Sequence, residues 1–231
     1  KEIMAYNDRV APFDNVKVRK ALARGIDKQK LLEAIWGDRG MVLGSFVPPT
    51  DPWYEDLTGV DAYDPESAKA LLAEAGHPDG FTFTLETPNY DPHPITAEFI
   101  KAELAKIGVT VNINIITANE WYTKVYQAKD FQATLQEHGN HRDVVFYGNP
   151  DFYWGYDNAD VTRLIAEAEE AATEDEHTAK LREANRIIAE DAASNWFFLY
   201  PQIVVSQANV TGYPLNGLNS QFFLRGIEKS N

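Results

Sequence analysis

The chain has no cysteine among its 231 residues. That excludes a disulfide framework and a thiolate metal site, while leaving the compartment open, since exported proteins also do without cysteine. Long apolar runs are missing too. The richest stretch, Trp196 to Val205, is interrupted by Pro201 and Gln202 and falls short of the ~18 apolar residues that a membrane-spanning helix requires. Basic residues are scarce: 21 Lys and Arg stand against 35 Asp and Glu, a formal net charge of -14, which repels nucleic acid and anionic membranes. No G-x-S-x-G elbow, Gly-rich phosphate loop, H-E-x-x-H helix or Cys nucleophile occurs, so an enzyme is not expected. Lys1 is not followed by a charged and then apolar leader, so any export signal is expected to have been removed or to lie upstream of it.

What is present suffices for a sizeable core: 44% hydrophobic residues and 12% aromatics in a chain of domain length. Ala11 to Leu32 reads as a capped helix running into a second one, with Asp14 as the first cap and Val18, Leu22 and Ile26 four apart on one face. Asp27 caps the next helix, which carries Leu31, Leu32 and Ile35. Gly37 to Asp61 is rich in Gly, Pro and aromatics and reads as a long ordered loop. Asp64-Pro65-Glu66 opens another helix, with Ala68, Leu71, Leu72 and Ala75 inward and Gly76 as its stop.

Phe81, Phe83 and Leu85 alternate as a strand, a helix runs from about Pro94 to Ile107, and Val109, Val111, Ile113 and Ile115 alternate again. Strand, helix and strand at this spacing form a βαβ unit with parallel strands. Asn119 is expected to cap a helix bearing Trp121, Tyr122, Val125 and Tyr126, and Phe131, Ala133 and Leu135 form a third strand. Helices follow from Asn158 and from about Glu176 to Ala192, the first exposing an acidic face. Trp196 to Val205 reads as a buried strand pair, and Ser206 to Asn231 as a polar tail turning at Gly212, Pro214 and Gly217.

Open α/β sheets place ligands at the carboxyl ends of strands. The loop Thr87 to Pro94 therefore offers Tyr90, Asp91 and His93. The loop Gln136 to Tyr156 concentrates polar and aromatic side chains with little apolar periodicity, and offers His138, Asn140, His141, Arg142, Asp143, Phe146 and Trp154. His138 and His141, with Glu137 and Asp143, supply nitrogen and oxygen donors of the kinds zinc or nickel accept, but without a second ligand cluster no metal and no cofactor is expected.

The wording of several segments resembles a known family. P-F-D-N-V-K-V-R-K-A-L followed by I-D-K-Q-K-L-L, Y-D-P-E-S-A-K-A-L-L-A-E-A-G, Y-D-N-A-D-V-T-R-L-I and E-A-N-R-I-I-A-E-D-A are similar, in order, to stretches of the peptide- and nickel-type (family 5) extracellular solute-binding proteins of ABC importers. The resemblance implies an α/β fold, a type II periplasmic-binding-protein-like lobe with a mixed, mostly parallel sheet flanked by helices. It implies residues 1–10 as an interlobe crossover, 11–195 as a C-terminal lobe and 196–231 as strands and tail returning toward an N-terminal lobe that this chain lacks. It implies capture of a peptide or related small solute, a permease partner in the membrane, and a periplasmic or extracellular location.

In the peptide-binding relatives, a W-x-x-D pattern after the third strand supplies an aspartate for the peptide ammonium. Here His138 stands near the Trp position, His141 and Arg142 near the Asp position, and Asn149-Pro150 replaces Asp-Pro, leaving Asp143 as the possible substitute. A non-peptide solute, such as an oligosaccharide, an opine or a metal complex, is the alternative on the same scaffold. Proximity to the cleft in the family also makes Phe46, Trp53 and Tyr54 candidates for ligand contact. Trp154 is expected to be wet without ligand, so that Trp154→Ala or Asp143→Ala weakens binding with little change in stability. An interaction or scaffold domain remains if the loop aromatics are buried.

Overall fold

A six-stranded sheet in the order β2-β6-β1-β5-β3-β4 organises the computed structural model, which describes residues 1–140, 142–213 and 224–230. Its strands are β1 (Glu2–Tyr6), β2 (Met41–Val42), β3 (Thr82–Pro88), β4 (Thr110–Ile116), β5 (Ala133–Glu137) and β6 (Ser194–Leu199). β1 is buried along its whole length because it lies between β5 and β6 with helices or packed loops on both faces. Ile3 and Ala5 face one apolar cluster, Met4 and Tyr6 the other.

The helices are α1 (Val16–Arg24), α2 (Lys28–Trp36), α3 (Pro65–Glu74), α4 (His93–Ala105), a single turn α5 (Ala118–Glu120), α6 (Ala159–Glu169) and α7 (Glu174–Glu190). Their ends follow local chemistry. Asp27 and Asp64 accept from Lys30 N and Ser67 N at the starts of α2 and α3, as their positions predict. The cap of α1 is Asn15 rather than Asp14. The expected cap Asn119 lies inside α5; Thr117 forms a reciprocal capping box with Glu120, and a π-helical turn over Trp121–Gln127 follows.

The strand-helix-strand unit β3-α4-β4 has the parallel register expected of it, Thr82 opposite Thr110 through Pro88 opposite Ile116. The sheet as a whole differs from the mostly parallel expectation. β3 pairs in parallel with β4 and β5, whereas β1-β5, β1-β6 and β2-β6 are antiparallel. Two helical crossovers, α4 and the helical 118–127 segment, bring β4 and β5 in parallel on either side of β3. The remaining strands meet through long connections that leave their direction free, and β1 runs opposite to both of its neighbours.

Two further expectations change. Trp196 to Val205 contributes one strand rather than two: β6 ends at Leu199, Pro201 follows, and Val205 is 93% exposed. In the tail, β7 (Val210–Thr211) pairs with β8 (Glu228–Lys229); Pro214 and Gly217 lie outside the described residues. The Gly37–Asp61 loop is folded into the core, with Phe46 and Trp53 buried and Tyr54 packed against the same cluster. Phe46 and Trp53 are therefore core residues in this structure, and Tyr54 lies half-buried beside them. Arg182 and Arg186 of α7 hold the loop from outside, by Pro52 O and the Glu55 carboxylate.

Candidate functional site

The carboxyl ends of β3 and β5 reach the same sheet edge as the amino end of β1 and the carboxyl end of β6, because β1 is antiparallel to both neighbours. Residues far apart in sequence meet there. Glu2, fully buried, holds His93 Nδ1 at 2.8 Å with one carboxylate oxygen and accepts from the Tyr200 hydroxyl with the other. Tyr90 is 40% exposed, packs edge-on against His93 with ring centroids 4.7 Å apart, and donates through its hydroxyl to Gln136 Oε1 at 3.0 Å.

Beyond β5 the chain passes through His138, Gly139 and Asn140 to a 3-10 segment, Asp143–Gly148. Arg142 precedes it in the left-handed region at φ 61, and its guanidinium pairs with Glu169 of α6. Asp143 is buried and makes an ion pair with Lys1 Nζ at 2.9 Å. Phe146 is partly buried and stacks on Phe152, centroids 4.6 Å apart.

The expected site residues therefore separate into layers. Tyr90, Asp91 and Asn140 are exposed at the edge, and the main chain of Asn140 also accepts from Lys1 Nζ at 3.1 Å. His93, His138 and Asp143 lie beneath, with their polar groups turned to partners inside the chain. His141 lies outside the described residues. Trp154 corrects the expectation of a wet side chain: it is 0% exposed. It stacks on Tyr147 at 4.4 Å and meets Phe152, Tyr153 and Phe46 at 4.4, 4.9 and 6.1 Å. A segment without helical or strand periodicity has folded its aromatics inward. Arg9 fixes it there by donating to the main-chain oxygens of Pro150, Phe152 and Tyr153.

Sequence reasoning missed Lys1, Glu2, Gln136 and Tyr200 as members of this edge, and weighed Glu137 only as a metal ligand. Glu137, half-buried and opposite Glu2 in the β1-β5 register, has no ion pair among the described residues. Among those residues no group of three or more His, Asp or Glu side chains is placed to hold a metal ion.

His138 carries a pH dependence. Its Nε2 lies 3.0 Å from the Tyr153 hydroxyl. Burial, followed by the nearby Lys1 ammonium, pushes its pKa down to about 3, so the folded protein holds it neutral. Between that value and the ordinary one near 6.5 the unfolded chain binds a proton that the folded chain refuses, so stability falls as pH decreases through this window. From pH 7 to pH 5 the loss from this group is expected to reach about 2 kcal/mol. Denaturant titrations at the two pH values check it. His138→Gln, which cannot titrate, should remove that part of the loss; an unchanged pH dependence would reject the assignment.

The sequence model of the family described as bacterial extracellular solute-binding proteins, family 5 Middle, matches residues 2–143. Heme-binding protein A of Haemophilus influenzae is 34% identical over 82% of this chain and 37% of its own length. The dipeptide-binding protein of Escherichia coli is 34% identical over 71% of this chain and 28% of its own. Among solved structures, a dipeptide binding protein from Pseudoalteromonas sp. SM9913, in complex with Met-Leu, superposes with a TM-score of 0.82 at 25% identity, over 99% of this chain and 48% of that one. The chain thus spans less than half the length of these relatives, all named as binding proteins. Fold, matched segment and relatives agree: the chain belongs to the family 5 bacterial extracellular solute-binding proteins.

Proposed function

We propose that the chain is one lobe of the substrate-binding component of an ABC importer. It holds a peptide or related small solute against a second lobe, outside the cytoplasmic membrane, and the closed form delivers the solute to a permease. In that reading residues 1–10 and 196–231 carry the connections to the partner lobe and 11–195 the rest of the body, with β1 and β6 built into this lobe's own sheet. The lobe performs no chemistry; it binds and releases.

The observation that carries the reading is the layered sheet edge. Tyr90, Asp91 and Asn140 are exposed there, above side chains whose polar groups are paired within the chain, Glu2 hydrogen-bonded to His93 and Tyr200 and Asp143 ion-paired with Lys1. Such an edge offers exposed polar and aromatic groups on a rigid support, as small-molecule sites do. The relatives named for dipeptides, and the one solved with Met-Leu, support a peptide as the solute. The one named for heme is the reason to test beyond peptides. The burial of Trp154 is the one observation on the side of an interaction domain.

Thermal unfolding of the complete protein, with both lobes, against dipeptides, oligosaccharides, haem and divalent metals tests this reading. A ligand that binds only the folded state raises the midpoint. A dipeptide at about 100 times its dissociation constant is expected to add about 2.7 kcal/mol. No shift with any compound, in a protein that melts cooperatively, would reject solute capture and leave the interaction domain.

A further inference from the structure

At the amino end of β1 the Lys1 side chain turns into the protein. Its Nζ lies 2.9 Å from Asp143 Oδ2, the two side chains being 6% and 0% exposed. It donates to Asn140 O at 3.1 Å and sits over the Phe46 ring, 4.6 Å from the centroid. A carboxylate, a carbonyl and an aromatic face around one nitrogen are the groups with which proteins bind a free ammonium. Here the ammonium belongs to the protein.

No cation from a residue other than Lys1 compensates Asp143 among the described residues. His138 Nδ1 is 4.0 Å away but the ring is neutral, since burial holds its pKa near 3. Arg142, next in the chain, is directed to Glu169. Neither Asp143 oxygen has a hydrogen bond of good geometry. Among the described residues, the buried charge therefore rests on Lys1.

We propose that Asp143, Asn140 and Phe46 form an ammonium pocket that the chain fills with its own Lys1 side chain. A consequence follows for specificity, resting on the solute-binding reading above. Because the pocket is occupied in cis, Asp143 does not read an amine on the captured solute, and the lobe accepts amine-blocked solutes as readily as free ones.

The test uses the complete protein in three forms: unaltered, Lys1→Ala, and Lys1→Ala with Asp143→Asn. The probe is n-propylammonium chloride, which replaces the atoms removed beyond Cβ, compared with sodium chloride at equal ionic strength. The amine is expected to raise the unfolding midpoint of Lys1→Ala by about 2 °C or more, and to leave the other two unchanged. A folded Lys1→Ala that does not respond, or an equal rise in all three, overturns the pocket. If Lys1→Ala does not fold alone, recovery of folded protein in the amine supports the pocket; failure to recover, while the double variant folds, overturns it.

A second arm reads specificity. For a dipeptide that the unaltered protein binds, N-acetylation is expected to change Kd by less than about threefold. A loss of roughly tenfold or more that Asp143→Asn abolishes overturns cis occupancy. If no dipeptide binds at all, the peptide reading fails by itself, and the propylammonium arm still decides whether the pocket exists.

Discussion

Trp154→Ala is expected to lower the stability of the protein by about 3–5 kcal/mol, the range for removing a large aromatic side chain from a packed core. The side chain is fully buried and stacks on Tyr147 at 4.4 Å, with Phe152 edge-on at the same distance. Around it Tyr147 donates to Ser194 Oγ at 2.8 Å, so the ring also supports the contact between the 3-10 segment and β6. Alanine would leave a cavity bordered by rings that cannot collapse without breaking these contacts. The expectation reverses the one drawn from sequence, that this substitution weakens ligand binding while leaving stability nearly unchanged. Chemical denaturation checks it, with Val205→Ala, at a side chain 93% exposed, as the comparison, expected within about 0.5 kcal/mol. A Trp154→Ala loss below about 1 kcal/mol would show that the aromatic cluster does not hold this loop.

The contrast between Trp154 and α3 shows what could be read in advance. Asp64, Pro65, Glu66 and Gly76 each act through bonds within a few residues of themselves: the Asp64 carboxylate on Ser67 N, the proline at the first turn, the glycine at φ +89. Local chemistry of that kind is written in the order of the residues. The same holds for Phe83, Leu85, Val109 and Val111, whose alternation is also their burial.

The 143–156 segment follows no such period, so the direction of each side chain is decided by the surfaces it meets. Its density of aromatics was the available signal, and it is equally consistent with a wet binding loop and a buried wedge. Arg9 decides between them, from more than 140 positions away in sequence. The candidate site was half legible for a similar reason. Strand ends pointed to Tyr90, Asp91 and Asn140. The partners of the layer below, Glu2 for His93 and Lys1 for Asp143, arrive at the amino end of β1, whose place between β5 and β6 no local pattern announces.

That long-range pair should also give the largest effect of any single charge. Lys1→Ala is expected to cost about 3–5 kcal/mol, because it leaves the Asp143 carboxylate buried without a counter-charge. Asp143→Asn should cost less, about 1–2 kcal/mol, although it breaks the same contact. The asymmetry is geometric. The Asp143 carboxylate sits on a short stem in the 3-10 segment, 0% exposed, and has no route to water. The Lys1 ammonium sits on a long flexible stem at the end of β1 and can turn outward once its partner is gone. Lys1→Met combined with Asp143→Leu removes both charges while keeping much of the volume, and should recover most of the loss, since desolvating the pair offsets much of its attraction. Denaturant midpoints of these three variants and the unaltered protein, all at pH 7, measure the asymmetry. Equal costs for the two single substitutions would mean that Asp143 can also reach solvent, and a Lys1→Ala cost within about 0.5 kcal/mol would place the pair at the surface, where ion pairs contribute little.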